Sequence, residues 1–174
     1  HVRHLNQLLG TANNKLHGLS VMDPLTNIHN RRALQHYTQQ QDDILLMLDI
    51  DYFKKINDQY GHNMGDKVLI TVAGRLTAIL RKEDLLMRWG GEEFLLILRK
   101  VDRSQLDNLI RKIITAISTE PVENIQVSVS GGLVIIPTAQ AELEAQIKHA
   151  DQLLYNAKAA GRGQIHSEFT VWPN

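Results

Sequence analysis

The chain has 174 residues, enough for one well-buried domain plus an appendage, and 19 basic side chains balance 19 acidic ones. Zero net charge argues against a general nucleic-acid or membrane-surface binder, but a local cluster of Lys and Arg would still suit a polyanionic small ligand. Without cysteine there are no disulfides, thiolate metal sites or cysteine nucleophiles, and no apolar run reaches the ~18 residues of a membrane span.

In chain order, Leu5, Leu9, Ala12, Leu16 and Leu19 form an a/d seam. It reads equally as an amphipathic helix on its own domain and as the end of a parallel coiled coil joining two protomers. Asp23-Pro24 is a helix-start signal, with Asp23 as N-cap and Pro24 at the first helical position. It predicts a helix through Arg31, Arg32 and Leu34 to about Thr38. The continuous apolar run Ile44 to Leu48, ending at Asp49, predicts a central strand buried on both faces. A short helix is expected from Phe53 to Tyr60, then a loop from Gly61 to Gly65. A long helix follows to about Leu80, with Leu69, Val72, Leu76 and Ile79 on one face.

Gly90-Gly91 between the apolar runs at 85–87 and 95–98 signals a hairpin. Leu106, Leu109, Ile110, Ile113 and Ile117 mark another amphipathic helix, and Val127 to Ile135 reads as a strand. Leu143, Ile147, Ala150, Leu154 and Ala157 mark the last long helix, with Gly161 as its C-cap. One or two short strands are expected between Gln164 and Val171. This order predicts an α/β (α+β) domain with a mixed sheet flanked by helices.

Glu92 and Glu93 sit at the hairpin tip, where carboxylates cannot serve a core and are costly unless water, a cation or a metal meets them. Asp49 ends the buried strand, where sheet ligands usually bind. If that strand neighbours the hairpin, Asp49 and Glu92 converge, and the hard cation most suited to them is Mg²⁺, which completes its shell with substrate phosphates. Taken singly, each motif is as well explained by a solvated loop end. Lys54 follows the strand closely, and Lys158 and Arg162 lie four apart at the end of the last helix. That pair shares a face if the helix continues, whereas Arg162 falls in the loop if Gly161 ends it. Dipole compensation alone would also explain two bases there.

Five ordered stretches make the chain resemble the GGDEF family of diguanylate cyclases over about residues 20 to 174. They are DPLTNIHNRR (23–32), LDIDYFKKINDQYGHNMGD (48–66), RWGGEEF (88–94), SVSGG (128–132) and ADQLLYNAKAAGRG (150–163). The resemblance implies a ferredoxin-like core, similar to the polymerase palm and nucleotidyl cyclases, with a mostly antiparallel sheet of about five strands. It divides the chain into a linker helix at 1–20, from an absent upstream sensory region, and a cyclase domain at 21–174. A start at His1 rather than Met also fits a fragment. The implied reaction is 2 GTP → cyclic di-GMP + 2 pyrophosphate, in bacterial second-messenger signalling. Since active members carry Asp or Glu at the third signature position, the GGEEF form keeps its carboxylate at Glu92.

By the same resemblance, Asp49, Glu92 and the Ile50 carbonyl would hold Mg²⁺, with Mn²⁺ as an alternative ion. Glu93 would hold a second ion or help deprotonate the ribose 3′-hydroxyl. Asn57 and Asp66 would read guanine, whose N1–H and exocyclic amine suit a carboxylate acceptor. Phe53 and Lys54 would lie beside the phosphates, Lys158 and Arg162 on the terminal ones, and Gly90 and Gly91 would let backbone approach the nucleotide. One domain holds one GTP, so a homodimer would be the active unit. Arg81 and Asp84 form an RxxD pattern in register with the family's product-inhibitory site, where cyclic di-GMP would bind. Two positions depart from the family: Asn27 for Gly and Gly163 for Asn. The expected location is cytoplasmic, with a soluble or membrane-anchored parent and no membrane contact by this segment. The rival readings are a non-catalytic GTP- or cyclic di-GMP-binding module and another nucleotidyl transferase on the same core.

Overall fold

A computed structural model describes residues 5, 7, 8 and 20–173. The heptad seam and the linker assignment at 1–20 therefore fall almost wholly outside the described residues; Leu5 and Leu8 are exposed. The strands are β1 (His29–Asn30), β2 (Ile44–Ile50), β3 (Leu85–Arg88), β4 (Glu93–Leu98), β5 (Val129–Ile135), β6 (Ile165–His166) and β7 (Val171–Trp172). The helices are α1 (Phe53–Tyr60), α2 (His62–Ile79), α3 (Leu106–Ser118) and α4 (Leu143–Ala159). One mixed sheet runs β1-β3-β4-β2-β5-β6-β7. It has seven strands where about five were expected, because β1, β6 and β7 are two-residue pairings at its edges. The pairs β2–β4, β2–β5, β3–β4 and β6–β7 are antiparallel; β1–β3 and β5–β6 are parallel.

Strand β2 is central and all seven of its residues are buried. Its continuous apolar run follows from having helices on both faces. Leu46, Leu48 and Ile50 enter the core shared with α2 and α3, whereas Leu45 and Met47 enter the smaller core under α4. Gly132 of β5 faces α4 at very short range: a Cβ there would lie 2.0 Å from the Ala150 carbonyl oxygen. The helix can lie this close to the sheet only because that side chain is missing.

The expected helix from Asp23 to Thr38 does not form. The Asp23 carboxylate does act as a cap, accepting from Thr26 N at 2.9 Å and Thr26 Oγ1 at 2.6 Å. What it closes is a turn, since Asn27 takes a left-handed φ of 57° and breaks the helical path. The chain then pairs through β1 and forms a 3-10 helix over Arg31–His36, capped by Asn30. Helix α2 begins at His62, so Gly61, at φ 89°, is the whole hinge between α1 and α2. The ladder of β5 starts at Val129 rather than Val127. Helix α4 ends at Ala159 and Gly161 follows at φ 120°, which puts Arg162 in the loop with a left-handed φ of 65°. The two family departures are conformationally neutral: Asn27 and Gly163, at φ 57° and 62°, both occupy left-handed positions that Gly and Asn share.

Candidate active site

Asp49 lies near the end of β2, directly opposite Glu93 on β4 and Ser130 on β5. This register places two acids on one face, an arrangement that repels unless a cation intervenes. Lys158, on the last turn of α4, brings Nζ to 2.9 Å from Asp49 Oδ2. Asp49 is nearly fully buried. Burial raises its carboxyl above the usual range, Lys158 pulls it down, and Glu92 and Asp51 push it up again. Glu93 is raised for the same reasons: burial first, then the charges of Asp49, Asp151 and Glu92, with Lys158 opposing. One ammonium thus faces more negative charge than it neutralises. Glu92 is held beside β2 by its own carbonyl, which accepts from Ile50 N at 3.2 Å.

Asp51, two residues beyond Asp49 and buried, was not anticipated as part of the site. It accepts from Ser128 Oγ at 2.6 Å, Ser130 Oγ at 2.5 Å and Gly163 N at 3.0 Å. These bonds tie β5 and the loop carrying Arg162 to the end of β2. The period-2 relation to Asp49 was the available signal.

A cavity of about 420 Å³ opens at this end of the sheet, lined by Asp49, Ile50, Asp51, Glu92, Lys158, Arg162 and the start of α1 from Tyr52 to Lys55, with Asp58. Phe53, Lys54, Lys158 and Arg162 therefore line one cavity. Tyr52 and Lys55 are additional. No side chain caps α1, so its first amide N–H groups remain available to an anion. A larger cavity, about 790 Å³, lies behind the hairpin between Arg31, Trp89, Ile147 and Asp151, and none of Asp49, Glu92 or Glu93 lines it.

Asn57, Asp66, Gly90, Gly91 and Glu93 do not line the 420 Å³ cavity. Asn57 packs its amide on Gly65: a Cβ at residue 65 would sit 1.9 Å from Asn57 Oδ1. That oxygen is buried and lacks a hydrogen-bond partner, an unusual state for an amide. Asp66, next to Gly65, is exposed in the first turns of α2. Gly90 leaves ordinary van der Waals room against Glu93, and Gly91 has open space around it. Arg81 and Asp84 form an ion pair, Nη2 to Oδ1 at 3.1 Å. Asp84 also accepts from the backbone of Arg81 and Arg99. Beside them a cavity of about 390 Å³ is lined by Arg81, Lys100, Asn108 and Lys112.

No three His, Cys, Asp or Glu side chains gather as a metal cage among the described residues. The donor set nonetheless fits a magnesium ion, which is held by one or two carboxylates and substrate phosphates rather than by an all-protein cage. The surplus negative charge around Asp49 is what such an ion would relieve.

A family model described as "Diguanylate cyclase, GGDEF domain" matches residues 20–164. The chain is 38% identical over 159 residues to the diguanylate cyclase DgcP of Pseudomonas aeruginosa, covering 84% of this chain and 24% of DgcP. It is 36% identical over 165 residues to the response regulator PleD of Caulobacter vibrioides, covering 84% of this chain and 36% of PleD. The chain thus spans about a quarter to a third of the length of these relatives. Among solved structures, the GGDEF domain of DgcB from Caulobacter crescentus, in complex with c-di-GMP, superposes with a TM-score of 0.75 at 25% identity, covering 87% of this chain and 97% of that one.

Proposed function

The chain belongs to the GGDEF family of diguanylate cyclases, and from this membership and the charge cluster at Asp49 we propose that it condenses two GTP into cyclic di-GMP and two pyrophosphates. The observation that carries the proposal is the placing of Asp49, Glu92, Lys158, Lys54 and Arg162 around one cavity. Each 3′-oxygen attacks the α-phosphorus of the other GTP, the bond from that phosphorus to the β-phosphate bridge oxygen breaks, and pyrophosphate leaves. Because one domain holds one GTP, two domains must face each other, and the active unit is a homodimer.

Asp49, Glu92 and the Ile50 carbonyl would hold Mg²⁺, with Mn²⁺ as a substitute. When bound, the ion lowers the pKa of the 3′-hydroxyl and offsets charge growing on the phosphates. Lys158, Lys54, Arg162 and the open amides of α1 bind and orient the triphosphate. Phe53 lies beside it, and Gly90 and Gly91 allow close backbone approach. Glu93, opposite Asp49, either takes the 3′-hydroxyl proton or joins in holding a second ion. Asn57 and Asp66 read the guanine edge; the partnerless Asn57 Oδ1 supports this, since an N–H donor of the base would complete it.

We further propose that cyclic di-GMP inhibits from Arg81 and Asp84, with Lys100 and Lys112 supplying further positive charge at the adjoining cavity. The domain would work in the cytoplasm, where GTP is available, under an upstream sensory region. No helix among the described residues is long and apolar enough to cross a membrane. The test is incubation with GTP and Mg²⁺ followed by chromatography of the products, repeated on a forced-dimer fusion. Cyclic di-GMP from either supports the proposal; GTP recovered unchanged from both refutes it.

A further inference from the structure

Tyr52 precedes α1 in a left-handed conformation, φ 56° and ψ 30°. A bulky side chain holds that conformation only where its surroundings over-determine it. Hydrophobic burial does not account for it, because Tyr52 is 55% exposed. Two cations lie over the ring instead. Arg162 Cζ is 4.6 Å from the ring centroid and Lys55 Nζ is 5.6 Å, both within the ~6 Å range of cation–π attraction.

Among the described residues no carboxylate pairs with either cation. The distinction matters chemically. A carboxylate would neutralise the guanidinium and consume its N–H donors, whereas an aromatic face restrains its orientation and leaves the donor edge free for an anion. The backbone supports the same aim: Gly163 N donates to Asp51, and Arg162 N to the Ala157 carbonyl at 3.1 Å, which fixes the loop on both sides of Arg162. Tyr52, Lys55 and Arg162 all line the 420 Å³ cavity.

We propose that Tyr52 is a positioning residue for triphosphate recognition: its ring holds Arg162, with Lys55 as a second cation, aimed into the cavity, so preference for a nucleoside triphosphate over a monophosphate depends on that ring. This rests on the nucleotide reading of the site.

The test is equilibrium binding, by calorimetry with Mg²⁺, of a GTP analogue with carbon in place of the α,β-bridge oxygen, and of GMP, to wild type, Tyr52→Phe, Tyr52→Leu and Tyr52→Asn. The asparagine variant suits the left-handed backbone and so guards against a folding failure in the leucine variant, which thermal melting would reveal. Tyr52→Phe should match wild type, while the leucine and asparagine variants should bind the analogue about three- to tenfold more weakly with GMP affinity unchanged. In an Arg162→Ala background the same substitutions should change analogue affinity by less than about twofold. The inference is overturned by unchanged analogue affinity without the ring, by an equal loss for GMP, or by a loss that persists without Arg162. A wild-type chain that binds neither nucleotide overturns the nucleotide reading, and the inference with it.

Discussion

Arg88 Nη1 lies 3.2 Å from Asp23 Oδ1, while its Nη2 and Nε reach back to the Gly91 carbonyl at 2.8 and 3.2 Å. One guanidinium ties the turn at the entrance of the domain to the tip of the glycine hairpin. Burial raises the Asp23 carboxyl, but the bonds from Thr26 and the charge of Arg88 outweigh it and hold the carboxyl below its ordinary 3.8. The unfolded chain therefore binds this proton more tightly than the folded one. The stabilisation is fully present above 3.8 and is lost as pH falls through the depressed native value. Asp23→Asn should destabilise by about 1–2 kcal/mol at neutral pH. In urea unfolding, the gap from wild type should narrow as pH drops below 3.8. A gap that widens on acidification would contradict this account.

Removing one acid should separate activity from stability. Glu92→Gln withdraws a charge that pushes the Asp49 carboxyl up. Its melting temperature should stay level or rise, while cyclic di-GMP formation falls by a factor on the order of 10² or more. Thermal melting and product chromatography on the same preparation check both halves. A clear loss of melting temperature would mean that Glu92 is structural.

Gly65→Ala tests the guanine reader through its neighbour. The new Cβ would meet Asn57 Oδ1 at 1.9 Å and Cγ at 2.9 Å. Asn57 can swing aside, so the fold survives, and alanine within α2 contributes up to about 1 kcal/mol of helix propensity. Unchanged or raised stability is expected together with roughly a tenfold higher KM for GTP, because a displaced amide leaves a base edge unpaired. Steady-state kinetics with an unaltered KM would dissociate Asn57 from the base.

At Gly132 the neighbours are backbone atoms that cannot rotate away: the Ala150 carbonyl oxygen at 2.0 Å and Leu154 N at 2.6 Å. Gly132→Ala should push α4 off the sheet and cost about 3 kcal/mol, measured by denaturant unfolding. Since α4 carries Lys158 to Asp49, product formation should fall with it, even at temperatures where the variant remains folded.

Arg81→Ala should relieve inhibition by added cyclic di-GMP while leaving the initial rate unchanged, since Arg81 lines a different cavity from the catalytic one. Initial rates measured against product concentration decide the matter. An inhibition curve identical to wild type would leave Arg81 as a turn clamp for Asp84 and nothing more.

Legibility differed from residue to residue. Asp49 and Glu92 stood out in the sequence because each ends or interrupts an apolar run, but their convergence depended on the strand neighbouring the hairpin, and the pairing of β2 with β4 meets that condition. The fate of Arg162 stayed open until Gly161, at φ 120°, was seen to end the helical path. The DPLT stretch misled: an Asp cap is chemically the same for a turn as for a helix, and only Asn27 and the pairing of β1 with β3 decided between them. Asp51 and Tyr52 went unread because the residues that bond Asp51, namely Ser128, Ser130 and Gly163, and the Arg162 that covers the Tyr52 ring lie more than 70 residues away in the chain.

The sequence by itself determined α1 to α4, the central strand, the hairpin and the family to which they belong, since periodicity, turn residues and motif spacing are properties of the chain itself. The tertiary structure alone decided that Glu93 lies opposite Asp49, that Lys158 closes on that acid, that α4 rests on a missing side chain at Gly132, and that Tyr52 lies beneath Arg162. These are relations between segments remote in sequence. Strand register and helix–sheet distance create them, and no local pattern along the chain encodes either.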